Sequence, residues 1–333
     1  MLNIKSVGRR PPAGSAFILI LTFILMLWTS SSSALYLPGI VPTDYEQGAE
    51  IEVLVSKLTS NRNKVPYGFY SLPICTPADA QRLHDGSIKP KHFNLGQVLL
   101  GEREFPSPFK FNMNVDQECE VVCSSSVEAI QATRLRRRIF ERYYMKMSLD
   151  GMPLVSEELL VHSGPNGPLK QVRGMPVGVT IARFNGTTGK PHWSEMSTFL
   201  NTHFSFKVLI NKPALSVSDS LSLTESMYRV VGFRGEAKSH DYSDADSNMT
   251  LSPEKIKEKC LAFTSNSLNR KYLEVKKGVP FKVTYTYSVR FEHSEITWAT
   301  RWDTVLRVSP HQRELQLMAL GNSLLLGLLL TGA

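Results

Sequence analysis

The chain has 333 residues, 42% hydrophobic and 20% charged, with a formal net charge of +8. This composition excludes a disordered or collagen-like chain and allows a sizeable core, in one large domain or two packed ones. Lys5, Arg9 and Arg10 supply three of the charges and residues 1–34 contain no acid, so the remainder carries only +5.

In chain order, the first feature is an uncharged apolar run at 16–28, behind those three bases and ahead of Ser32-Ser33-Ala34. A basic stretch, a short apolar run and a small-x-small site describe a secretory signal peptide at 1–34. A membrane span needs about 20 apolar residues, more than this run holds. A β-rich lumenal or extracellular domain is then expected over 35–314. Alternating apolar and polar residues predict strands at 51–58, 109–115, 119–123, 143–149, 152–155, 177–184, 203–210 and 227–234. The strongest is 281–291, where Phe281, Val283, Tyr285, Tyr287, Val289 and Phe291 share one face. Asp150-Gly151 between two runs predicts a type I′ hairpin.

Two helices are expected. One is Ser124–Arg142, which contains no Pro or Gly and buries Ala132, Leu135 and Ile139. Its opposite face carries Arg134, Arg136, Arg137, Arg138 and Arg142, and is read as solvated rather than as a nucleic-acid surface. The other is 252–260, with Ser252 as N-cap and Pro253 at the first helical position. Many short strands with Pro/Gly turns predict a mainly β, antiparallel sandwich-like fold with two short helices. Everything from Leu315 to Ala333 is uncharged and is read as the start of a first transmembrane helix, within which the sequence stops.

The cysteines are Cys75, Cys119, Cys123 and Cys260. An even count in an oxidising compartment predicts two disulfides. On a strand, Cys119 and Cys123 stand about 13 Å apart with both sulfurs on one face. A bridge needs Cα atoms within about 7 Å, so the bonds are expected to reach out to Cys75 and Cys260, in either pairing. No second close-spaced Cys or His pair accompanies them, and the eight histidines show no ligand spacing, so neither a metal nor a cofactor is expected. Asn185-Gly-Thr187 and Asn248-Met-Thr250 are glycosylation sequons.

Catalytic motifs are missing. Asn185-Gly-Thr-Thr-Gly-Lys190 has two residues between its glycines where a phosphate loop has four, and Pro191 follows. Asp244-Ala-Asp-Ser-Asn248 opens like a calcium loop, but Met249 replaces the turn glycine and Lys255 the bidentate acid. No nucleophile–base pattern is present, so no enzyme is expected and no catalytic residue is assigned. Trp298 and Trp302, four residues apart, are read as an interfacial or core pair, with sugar stacking as the sharper alternative.

Several blocks together resemble the nonaspanins, the transmembrane 9 superfamily. They are Tyr36-Leu-Pro-Gly39 with Asp44-Tyr45, Val55-Ser-Lys-Leu-Thr-Ser60, and Tyr70-Ser-Leu-Pro73 with Cys75. Asn94-Leu-Gly-Gln-Val-Leu-Leu-Gly101, Val230-Val-Gly-Phe233 and Trp298-Ala-Thr-Arg-Trp302-Asp303 continue the likeness. The resemblance implies a β-rich lumenal domain ahead of nine membrane-spanning helices in Golgi and endosomal membranes. It implies a role in sorting other membrane proteins, notably cargo with glycine-rich transmembrane helices, and brings no catalytic residues. A transporter or channel, a lumenal carbohydrate-binding module and a lipid-anchored domain are the alternatives.

Overall fold

A computed structural model describes residues 42–91, 102–159, 169–181, 196–213, 227–243, 252–265, 271–305 and 310–332. The signal peptide, both sequons, the Asn94–Gly101 block and the two loop-like motifs around 185–190 and 244–248 lie outside the described residues.

The strands are β1 (Tyr45–Glu46), β2 (Glu50–Ser60), β3 (Tyr67–Gly68), β4 (Phe105–Asn112) and β5 (Gln117–Val127). Helix α1 (Ala129–Phe140) leads to β6 (Tyr143–Leu149), β7 (Met152–Pro153), β8 (Val155–Leu159), β9 (Leu169–Arg173) and β10 (Met175–Pro176). Then come β11 (Gly178–Ile181), β12 (Ser197–Leu200), β13 (His203–Asn211), β14 (Met227–Lys238), α2 (Pro253–Ser265) and β15 (Phe281–His293). Helices α3 (Arg301–Val305) and α4 (Pro310–Gly332) follow.

One sheet runs β5-β15-β13-β14-β8-β9 with β1 added to β14; the other runs β10-β6-β2-β3 with β4 on β2 and β7 on β6. Their apolar faces meet in one core. Phe109 and Phe111 of β4 approach Phe206 of β13 and Tyr287 of β15 with ring centroids 5.2–5.8 Å apart. Alternation explains why: Val53, Val55, Met145, Met147, Val208 and Val289 are buried while their strand neighbours are less so.

The sandwich is therefore as expected in kind, but its larger sheet is mixed. β13 runs parallel to β15, and β14 meets β8 in a parallel pairing. The expected helix at Ser124 starts later. Ser124, Ser125 and Ser126 continue β5 opposite Thr284, Val283 and Lys282. The Ser124 and Thr284 hydroxyls bond across the ladder at 2.8 Å, and Ser125 Oγ donates to the Pro73 carbonyl at 2.6 Å. The helix begins at Ala129, where Glu128 and Gln131 form a reciprocal capping box. The expected strand 109–115 ends at Asn112, because Asn114 turns with φ of 56°. The expected run 152–155 is split at Leu154.

Residues 315–332 fall within α4, where Leu317, Met318, Leu320 and Leu324 are exposed. Among the described residues, no helix is long and apolar enough to cross a membrane.

Candidate functional site

The Asp150-Gly151 turn joins β6 to β7 with φ of 48° and 74°, the two positive values that a type I′ hairpin requires. Asp tolerates this conformation, and the turn aims its carboxylate at the end of the chain. Arg301 arrives there from the other side, at the start of α3, after β15 has ended and the chain has passed through a short 3₁₀ turn at Trp298–Thr300. Arg301 Nη1 donates to Asp150 Oδ2 and to the Val230 carbonyl, each at 3.0 Å. Its guanidinium lies over the Trp298 ring, 4.5 Å from the centroid. Tyr45 donates to the other Asp150 oxygen at 3.4 Å. Arg301 is 5% exposed, so this is a buried ion pair rather than a surface one. Burial, the larger influence, pushes the Asp150 carboxyl above the usual carboxylate range, while Arg301 and Tyr45 pull it back. Burial also pushes the Tyr45 hydroxyl up to about 12. The result is a junction: the β6–β7 turn, β14 and β1 meet around the segment that begins α3.

A second constellation lies on the outer face of the larger sheet, beneath α2. The bonds are Cys75–Cys123 and Cys119–Cys260, so both central cysteines reach outward as expected. They leave from opposite faces, however. Cys123 pairs with Tyr285, whose ring is in the main core, but Val121 pairs with Thr286 on the outer face. The register shift between those pairs is a bulge that reverses the alternation, and Cys119 itself sits at φ of 54°. Cys119 and Cys260 then join Tyr242 and Ile256 in a separate cluster. His203 from β13 completes it: Nδ1 lies 2.9 Å from Thr286 Oγ1 and 3.5 Å from Cys260 Sγ. Tyr242 Oη is 2.6 Å from the same Thr286 hydroxyl, and the His240 ring stacks on Phe263 of α2. Burial, reinforced by Lys238 and His240, lowers His203 to about 4.

Trp298 and Trp302 do not make a shared platform. Arg301 occupies a face of Trp298, and Trp302 is exposed. The arginine face of α1 is largely engaged: Arg136 donates to the Met196 carbonyl, Arg137 pairs with Glu141, and Arg138 donates to the Ser71 carbonyl and covers the Tyr67 ring. An open groove of about 740 Å³ crosses the outer face of the larger sheet. Its charges answer one another, Arg234 with Glu157 at 3.5 Å and Arg290 with Glu118 at 3.0 Å. Ser288 Oγ there is taken by the Cys119 N–H, and no groove serine bonds a histidine among the described residues. Sequence reasoning missed Asp150 and Arg301 as partners. The signal was faint: an acidic I′ turn, and an arginine between two tryptophans.

The endomembrane protein 70 family model matches residues 66–333. Among curated relatives, Transmembrane 9 superfamily member 8 of Arabidopsis thaliana is 30% identical over 320 residues, 94% of this chain and 44% of that protein. Member 4 of Homo sapiens is 30% identical over 304 residues, 88% of this chain and 41% of that protein. Member 2 of Mus musculus is 28% identical over 347 residues, 97% of this chain and 46% of that protein. The chain thus spans less than half the length of these relatives.

Proposed function

The chain belongs to the endomembrane protein 70 family of Transmembrane 9 membrane proteins, and from that membership we propose that it is the lumenal domain of a protein that sorts other membrane proteins. The work is non-enzymatic: the protein binds membrane-protein cargo and presents it for traffic through Golgi and endosomal membranes. The cargo is a protein with glycine-rich transmembrane helices, recognised by spans outside this sequence. The lumenal domain supplies folding, stable attachment and lumenal contacts, and Asn185 and Asn248 carry its glycans.

The observation that carries this reading is the family match over residues 66–333, and the Asp150–Arg301 pair adds a firm attachment near the end of the β domain. A domain hung passively on a flexible tether would have no use for it. Here the Trp298–Val305 segment is held to the body by a charge pair, a carbonyl and a stacked ring, which gives the β domain a firm rather than a loose C-terminal edge. The exposed leucines of α4 suit a helix that enters a membrane or packs against another.

The test is isolation of the intact protein from detergent extracts of cells. Membrane proteins with glycine-rich spans should co-purify, and their arrival at the cell surface should fall when the protein is depleted. Recovery of no membrane-protein client, with client delivery unchanged, overturns the reading. The carbohydrate alternative would rest on the exposed Trp302, since Arg301 occupies one face of Trp298; glycan-array binding that vanishes in Trp302→Ala would support it.

A further inference from the structure

We infer that Cys119, Cys260 and His203 form a redox-gated site for a thiophilic divalent ion of the zinc class. In sequence these residues are far apart, which is why the cysteine spacing argued against zinc. The fold brings their ligand atoms within 4.8 Å of one another, and all three residues are fully buried. They come from three elements, β5, α2 and β13, so the site is built by tertiary structure rather than by one loop.

The geometry suits an ion once the disulfide is open. Zinc takes thiolate at about 2.3 Å and imidazole at about 2.0–2.1 Å, and tetrahedral angles then place S and N about 3.6 Å apart. His203 Nδ1 already lies 3.5 Å from Cys260 Sγ. Nδ1 faces the sulfurs, while Nε2 is buried and has no partner among the described residues. The tautomer with its proton on Nε2 leaves on Nδ1 a lone pair that accepts from the Thr286 hydroxyl at 2.9 Å in the oxidised chain and is freed for the ion when that hydroxyl turns away. Thr286 Oγ1, 2.9 Å from Nδ1 and 3.9 Å from Cys260 Sγ, is near enough to serve as a weak ligand or to support a bound water. Tyr242 holds that hydroxyl from behind at 2.6 Å, the kind of outer contact that orients ligands in metal sites.

The exchange balances. A dithiol reductant converts the Cys119–Cys260 disulfide to two thiols and is itself oxidised to a disulfide. The ion then displaces both thiol protons, which leave to solvent, and forms two metal–sulfur bonds and one metal–nitrogen bond. Either covalent S–S or the ion ties α2 to β5, so the helix stays in place in both redox states. The other disulfide offers no such alternative, for no histidine joins Cys75 and Cys123 in a ligand cluster among the described residues.

The experiment uses the whole chain, reduced under argon and titrated with Co²⁺ and then Zn²⁺. One Co²⁺ should bind with sulfur-to-metal charge-transfer absorption, be displaced by Zn²⁺, and fail to bind the oxidised chain. His203→Ala should weaken the reduced site more than about 100-fold, since removing a direct ligand exceeds the 10–100-fold loss typical of outer contacts. In the unmutated chain, Zn²⁺ should slow alkylation of Cys119 and Cys260 and leave Cys75 and Cys123 labelled at the metal-free rate. Equal labelling of all four, or charge-transfer bands unchanged in His203→Ala, overturns the proposal. If reduction unfolds the chain, Zn²⁺ must restore its near-ultraviolet dichroism, and failure to do so counts equally against the site.

Discussion

Arg301 and Asp150 stand 151 residues apart in sequence, yet their side chains meet at 3.0 Å in a buried pair. The carboxylate is fixed by a hairpin turn and the guanidinium by the first residue of α3. Each group therefore depends on the other for removal from water. Asp150→Asn keeps a side chain that tolerates the turn but deletes the charge, leaving Arg301 buried and unpaired. The expected loss is about 3 kcal/mol of stability, read by urea denaturation. Adding Arg301→Met to Asp150→Asn should recover most of that loss, since a buried pair can often be replaced by apolar groups at little net cost. Additive losses in the double variant would show that the two residues act separately.

The two tryptophans of the same segment should part company. Trp302 is 41% exposed, and Trp302→Ala should cost clearly less stability than Trp298→Ala. Trp298 carries the Arg301 guanidinium on its ring, and Trp298→Ala should cost about 2 kcal/mol or more through lost stacking and packing around a desolvated cation. Thermal melts of the two variants side by side decide it; equal losses would contradict the geometry.

The disulfides differ in what they constrain. Cys119–Cys260 closes a separation of 141 residues and Cys75–Cys123 one of 48. Loop-closure entropy grows with the logarithm of length, so the longer bridge should contribute about 1 kcal/mol more. Paired alanine substitutions at each bridge, compared by denaturant midpoint, measure the difference. A larger loss from the shorter bridge would mean that packing around Cys123, not chain entropy, dominates.

Much of this architecture is legible in the sequence because burial on a strand repeats every second residue. Phe281 to Phe291 shows its core face directly, and Asp150-Gly151 announces its turn because few other residues accept positive φ twice in succession. What could not be read depends on neighbours distant in the chain. Ser124–Ser126 lacks any helix breaker, and only the facing Lys282–Thr284 segment makes it strand. The bulge between Val121 and Cys123 inserts one residue and sends the cysteines to opposite faces, a shift with no compositional mark. Arg301 sits in a family-like motif whose tryptophans are the conspicuous members, and nothing local names its carboxylate. His203 begins a strand whose other face is pure core, and its sulfur neighbours come from β5 and α2.

Gly178 tests the seam between the small β11–β12 pair and α1. A Cβ there would lie 2.2 Å from the Phe199 carbonyl oxygen and 2.9 Å from Ile139 Cγ1. The first is backbone in the partner strand and the second a buried side chain, so neither yields without moving its element. Gly178→Ala should destabilise by about 2–4 kcal/mol, in the range of overpacking and strand displacement. A variant that melts with the parent would show that β11 floats free of α1.

Acid should loosen the cluster beneath α2 while the disulfide is intact. Burial holds His203 near 4 in the folded chain, against an unfolded value of about 6.5. Between these values the unfolded chain binds the extra proton, so folding stability is complete above about 6.5 and falls as pH drops toward 4. The full effect is about 3 kcal/mol. His240, lowered mainly by burial, acts in the same direction. The charged groups around the pair are Lys238, Asp241, Lys259 and Lys271. Asp241 favours the protonated His240 and the lysines oppose protonation. Cys119 and Cys260 do not titrate while bonded, and Thr286 and Tyr242 stay neutral across this window. Urea midpoints measured from pH 7.5 to 4.5 should fall steadily in the parent chain, and His203→Gln should flatten the slope. A profile unchanged by His203→Gln would place the acid sensitivity elsewhere, with His240 the next group to replace.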